Sequence, residues 1–311
     1  MKFLSTEELD RVFRDTLQAK LEALEGPRKK ILYLSIGVVL LIAISFTLFQ
    51  LNLPAAGIIM ILVTIGLVIY TVSLYKEFRR TFKKQIVETL VKLVNPEWTY
   101  EAEESLTEEE YWGSGLFTKR HSNFKGDDLI YGRIEKTDFR CSEIKTTYST
   151  GGENSSTRII FWGLLFHADF NKHFSGRTYV RQKNIYGLNL NINLDFLKKD
   201  TDPREVEMEN PEFEAYFNVT STDQVEARYL LTPTIMEAIL ELHKRFNRKI
   251  NVSFVGNRVY CGVAFETELF EPEITKSNVS FGQILMLYNT IQLNALLVHE
   301  LNLNTRIWTK V

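Results

Sequence analysis

The chain has 311 residues, of which 45% are hydrophobic and 24% charged, with a net charge of −2 at pH 7. Nothing in that balance supplies the positive excess of a nucleic-acid-binding face, so no nucleic acid is expected as a partner. The charge is unevenly spread: residues 96–311 carry 24 basic and 31 acidic side chains, whereas residues 76–95 carry 6 basic and 2 acidic.

Residues 1–30 open with a capping box, Ser5-Thr6-Glu7-Glu8. Leu9, Val12, Phe13, Leu17, Leu21 and Leu24 then recur at helical spacing, which predicts a cytosolic amphipathic helix that Gly26-Pro27 ends. Residues 31–75 hold two uncharged apolar runs on either side of Pro54. Each is about as long as the ~20 residues that cross a bilayer as a helix. Neither has the polar stripe of a soluble amphipathic helix, so a transmembrane hairpin with the lipid bilayer as its first partner is expected. At bilayer depth its polar groups are confined to the hydroxyls of Ser35, Ser45, Thr47, Thr64, Thr71 and Ser73, which makes it an anchor, not a conduit.

Basic residues flank the hairpin on both sides. Arg28, Lys29 and Lys30 precede it, and Arg79, Arg80, Lys83 and Lys84 follow it. That pattern puts both termini in the cytoplasm, predicts a multi-pass membrane protein, and suits these seven side chains to anionic lipid head groups. Cys141 and Cys261 are then in a reducing compartment, where no disulfide is expected. Residues 76–95 carry a stripe of Phe78, Phe82, Ile86, Leu90 and Leu93, which predicts a stalk helix paired with the first one.

Residues 96–311 read as one α+β domain with a mainly antiparallel sheet and packed helices. A second capping pattern, Thr107-x-x-Glu110, opens it. Strands are expected over residues 129–136 and 139–149 with a turn at Thr137-Asp138, then over residues 159–166 and residues 188–196. Thr232-Pro233 starts a helix, Gly256-Asn257 turns a hairpin, and Ser280-x-x-Gln283 caps a long final helix whose amides mark it as docked and not as a third span.

The standard nucleotide, zinc-protease and hydrolase signatures are missing, and no cofactor is expected. His167, Asp169 and His173 offer nitrogen and oxygen donors of the kind zinc or iron takes, though hydrogen-bonded structural roles fit them as well. Asp223, Glu226 and Arg228 form a close polar cluster, read as a buried ion pair or, beside a cleft, as an acid/base site.

Four segments, Trp112-Gly113-Ser114-Gly115-Leu116-Phe117, residues 168–178, residues 222–233 and residues 301–308, together resemble an uncharacterised bacterial membrane protein family, domain of unknown function 3137. The likeness runs from about residue 86 to residue 308. The resemblance implies two N-terminal spans, a cytosolic domain and a LemA-type membrane-associated partner, and supplies no reaction. The expected function is a membrane-anchored interaction or scaffold module, with protein partners or self-assembly into a homo-oligomer. The alternatives are a membrane-associated enzyme acting on a lipid or envelope precursor, and an oligomeric pore scaffold.

Overall fold

The computed structural model describes residues 3–149, 151, 156–170, 173–183 and 202–300. It divides into two units, residues 1–94 with 270–290, and residues 95–269 with the chain from 291 onward.

The first unit is built on two long helices, Thr6–Gln50 and Pro54–Val94. Both are long and apolar enough to cross a membrane. Val39, Leu40, Phe46, Ile59, Leu62 and Ile69 are each more than half exposed, an apolar belt that water would not tolerate and lipid would. The hydroxyls of Ser45, Thr64 and Thr71 each donate to the carbonyl four residues earlier at 2.8 Å, so they carry no unmet donor into an apolar medium. Gly57 lets the hairpin close, since a Cβ there would stand 2.8 Å from the Phe49 ring.

Gly26-Pro27 does not end the first helix. The chain runs through Pro27 to Gln50, although an interior proline forfeits a backbone hydrogen bond and costs ~3 kcal/mol. Burial of Leu21, Leu24 and Ile31 on either side offsets that loss. So does Arg28, which pairs with Glu25 at 2.8 Å and donates to the Ile274 carbonyl at 2.7 Å. The stalk pairing is present, with Leu9, Leu17, Leu21, Phe78, Phe82 and Ile86 all buried and Lys20 reaching Thr89 at 3.4 Å. Each stalk helix carries one π-helical turn, Phe13–Leu17 and Lys83–Val87.

Among the described residues the second unit holds a nine-stranded sheet: β1 Thr99–Glu101, β2 Asn123–Ile134, β3 Thr137–Ser149, β4 Thr157–Asp169, β5 Arg177–Gln182, β6 Arg204–Glu205, β7 Phe217–Ser221, β8 Lys249–Val255 and β9 Arg258–Ala264. All pairings are antiparallel, in the order β1-β2-β3-β4-β9-β8-β5-β7-β6. One rung crosses seven strands through Ile130, Cys141, Phe166, Cys261, Val252, Val180 and Val219. All seven are buried, so this row is the spine of the core. Burial pushes the Cys141 thiol up, and the Cys261 thiol up to about 12, so both are inert packing groups.

The β2–β3 turn falls two residues before Thr137-Asp138. Glu135 takes the left-handed conformation, with φ 55°, and Thr137 already pairs with Ile134. Arg133 and Asp138 face each other across this hairpin end at 2.7 Å, which accounts for the displaced turn. The Gly256-Asn257 hairpin and the helix Pro233–Phe246, capped by Thr232, lie where expected. The expected strand over residues 188–196 lies outside the described residues. The final helix, Phe281–Glu300, begins in the first unit and ends in the second. Over Phe281–His299 it too is long and apolar enough to cross a membrane, but 67% of its most apolar window is buried, against 11% and 17% for the two long helices.

Candidate ligand-binding cleft

Strand ends, not a catalytic motif, make the cleft. β9 stops at Ala264, which pairs with Gly163 of β4 on one side and Lys249 of β8 on the other. β4 extends further toward its start, pairing Arg158 with Tyr148 and Ile159 with Thr147 of β3. The overhanging β3–β4 hairpin and the end of β5 therefore line an open cleft of about 1120 Å³.

Its walls contain Lys119, Arg158, Arg181, Lys183 and Lys249 against Glu205 and Glu266, with Phe117, Tyr148, Phe161 and Trp162 between them. This positive balance is the reverse of the acidic domain that holds it. A cleft lined by one sign of charge concentrates the opposite sign in front of it.

Arg181 is held from three directions. Its guanidinium lies 4.6 Å from the centre of the Tyr179 ring, its Nη2 donates to the Gly115 carbonyl at 3.0 Å, and its Nη1 donates to Thr220 Oγ1 at 3.3 Å. Burial lowers its pKa from the ordinary value. Among the described residues no carboxylate pairs with it. The Gly115 carbonyl is itself fixed by local sequence. Gly115 has φ +60°, and a Cβ there would stand 2.6 Å from the Tyr179 hydroxyl. Next to it, the Ser114 carbonyl accepts from Ser253 at 2.6 Å, and Phe117 stacks on Tyr111 at 4.5 Å.

Across the cavity, Lys119 donates to the Tyr148 hydroxyl at 3.3 Å and sits over its ring. The hydrogen bond from Lys119, with the charges of Lys119 and Arg158, lowers the Tyr148 pKa. Trp162 carries Lys145 over its ring at 3.4 Å and donates its indole N–H to Glu143 at 3.1 Å. Glu143 is buried and its pKa is raised to about 7, chiefly by desolvation.

The residues singled out from the sequence fall elsewhere. Asp223 and Glu226 do not form an ion pair with Arg228. Asp223 caps the helix Gln224–Leu230 by accepting from Glu226 N at 2.9 Å, and Glu226 accepts the N–H of Ser175 at 3.1 Å and of Gly176 at 2.7 Å. A carboxylate two positions from an arginine found backbone donors instead. Arg228 is exposed and lines a separate hollow with Glu207, Met208 and Met236.

His167, Asp169 and His173 do not gather as donors to one ion among the described residues. His167 Nε2 is 3.0 Å from Glu110 Oε1, Asp169 accepts from Asn257 at 3.1 Å, and His173 is exposed. Burial lowers the His167 pKa from its ordinary value, against the opposing pull of Glu110. Burial pushes the Glu110 carboxyl up, but the bond from His167, the Thr107 N–H and the charge of Arg140 outweigh it and bring the pKa to about 2.

Among the seven flanking cations, Lys29, Lys30, Arg80 and Lys84 are exposed. Lys83 has no exposed surface and pairs with Glu271 at 2.8 Å, so the head-group role does not hold for it here. Arg79 shares the same carboxylate at 2.6 Å, and Arg28 is buried with Glu25.

Residues 159–303 match the family model described as protein of unknown function (DUF3137). That match contains the segments 168–178 and 222–233 and begins beyond 112–117. No curated protein matches the chain. A solved structure, the mycobacterial trehalose monomycolate transport factor A, TtfA, is similar at 13% identity with a TM-score of 0.34, covering 70% of this chain and 96% of that one.

Proposed function

We propose that this chain is a membrane-anchored interaction module whose sheet domain binds a ligand in the β3–β4/β5 cleft. In this reading the hairpin of residues 31–75 sits in a bacterial inner membrane with both termini cytoplasmic. The domain serves as a receptor or scaffold, and not as a catalyst.

The observation that carries the reading is Arg181, a half-buried guanidinium immobilised by Tyr179, Gly115 and Thr220 at the edge of a cavity of about 1120 Å³. Side chains locked by packing and hydrogen bonds are the mark of a prepared binding surface. The cleft's charged groups are mainly cations, which bind and orient but do not form an acid/base pair. Self-assembly and a LemA-type partner remain consistent with an anchored module.

The test is a photo-crosslinking amino acid at Ile159, an exposed position on the cleft wall, in the full chain in its native membranes. A discrete adduct that disappears when Trp162 or Arg158 is also replaced supports the reading. The absence of any adduct at Ile159, alongside efficient labelling by the same probe in the lipid-facing belt, overturns it.

A further inference from the structure

We infer that the cleft is a site for a phosphate group carried on an organic body, with Arg181 as its anchor and Arg158 and Lys119 as its second wall. The inference rests on the reading of the cleft as a binding site and names what binds there.

Three observations converge. The first is an uncompensated charge. Taking a guanidinium out of water is costly unless an anion meets it, yet the partners of Arg181 are a carbonyl, a hydroxyl and an aromatic face. Two of its N–H groups are used, and a guanidinium has five in a planar fork that matches the edge of a phosphate.

The second is convergence. Lys119 and Arg158 both meet the Tyr148 hydroxyl on the overhanging hairpin, on the same cavity as Arg181. Neither pairs with a carboxylate among the described residues. Two cationic walls facing one space suit a group with acceptor oxygens on several sides, which a phosphate offers and a carboxylate offers less well.

The third is size and lining. A cavity of about 1120 Å³ far exceeds one phosphate, and Phe117, Ile159, Phe161 and Trp162 supply apolar and aromatic surface beside the cations. A ligand with an anionic end and an apolar or ring-bearing remainder uses both parts. Glu205 and Glu266 also line the cavity. They disfavour a second anionic group there, so a single phosphate centre is expected.

The phosphate can belong to a lipid head group or to a soluble molecule, and titration calorimetry of the full chain in dodecyl maltoside separates them. The probes are inorganic phosphate, dihexanoyl phosphatidylglycerol, and uncharged dihexanoylglycerol as control. The expected result is binding of a phosphate-bearing probe and no binding of the control. Affinity falls at least tenfold in Arg181→Gln and in Arg158→Gln, and is unchanged in Lys276→Gln, which alters an exposed lysine of the other unit. Arg158 is exposed, so its variant keeps the test valid if Arg181→Gln does not fold. Binding of phosphatidylglycerol alone assigns a lipid head group, and comparable binding of inorganic phosphate assigns a soluble source.

Failure of both phosphate probes to bind, or equal binding by wild type and both arginine variants, overturns the inference. If the Ile159 adduct still forms under those conditions, the cleft is a binding site for other chemistry. If it does not, the functional reading falls as well.

Discussion

Trp162 donates its indole N–H to Glu143 at 3.1 Å, so a wall of the cleft is tied to a buried carboxyl. The other oxygen of Glu143 accepts from Leu269 N at 2.9 Å, which fastens the end of the chain segment that follows β9. Burial, then the nearby charges of Asp127 and Asp128, raise this carboxyl to about 7 against the two hydrogen bonds it accepts.

That value gives the domain a pH-dependent stability. Below the ordinary carboxyl value near 4.5 the group is protonated in both folded and unfolded chains. Between there and about 7 the folded chain keeps a proton that the unfolded chain has released, so stability is greatest on the acid side and is lost as pH rises through 7. Denaturant titrations at pH 5 and pH 8 should differ by ~1–3 kcal/mol from this group. In Glu143→Gln that part of the difference should vanish. An unaltered slope in the variant would show that another group is responsible.

Glu226 is a backbone anchor, and its replacement should behave as one. Glu226→Ala strands the N–H groups of Ser175 and Gly176 and should cost ~1–3 kcal/mol. Arg228→Ala should stay within ~0.5 kcal/mol of wild type, as exposed positions do. Equal losses in the two variants would restore the ion pair expected from the sequence.

In the first unit, Glu271 holds Arg79 at 2.6 Å and the fully buried Lys83 at 2.8 Å. Glu271→Gln removes an anion shared by two cations and should destabilise by ~1–3 kcal/mol. Lys84→Gln, on an exposed neighbour, should change thermal stability little. Intact stability in Glu271→Gln would mean that Glu271 is not what holds these cations.

Gly115→Ala tests how Arg181 is positioned. The added methyl meets the Tyr179 hydroxyl at 2.6 Å and burdens a left-handed backbone position. The expected cost is ~1–3 kcal/mol, with weaker ligand binding because the carbonyl that receives Arg181 is displaced. Loss of stability with unchanged binding would separate Gly115 from the site.

Much of the architecture was legible because it rests on local chemistry. The two uncharged runs, the capping boxes at Ser5 and Thr107, the Thr232 cap and the Gly256-Asn257 turn each announce themselves within a few residues. Pro27 misled because its local cost is overruled by contacts of Arg28 with Ile274, almost 250 positions away. The cleft was invisible for a related reason. Lys119, Arg158 and Arg181 lie on separate segments and meet only through the strand order β4-β9-β8-β5, in which β9 stops short of the start of β4. The one available hint was a charge at Glu143 within a strand otherwise rich in buried side chains. By contrast, Asp223 and Glu226 drew notice by proximity, and backbone N–H groups absorbed them, a local one for Asp223 and the distant Ser175 and Gly176 for Glu226.

Native mass spectrometry of the full chain, released gently from its own membranes, tests the central claim most directly. The wild type should carry a bound mass containing phosphorus, and Arg158→Gln prepared identically should lose most of it. A wild type without any bound species, or the same bound species at the same occupancy in both proteins, would contradict the account.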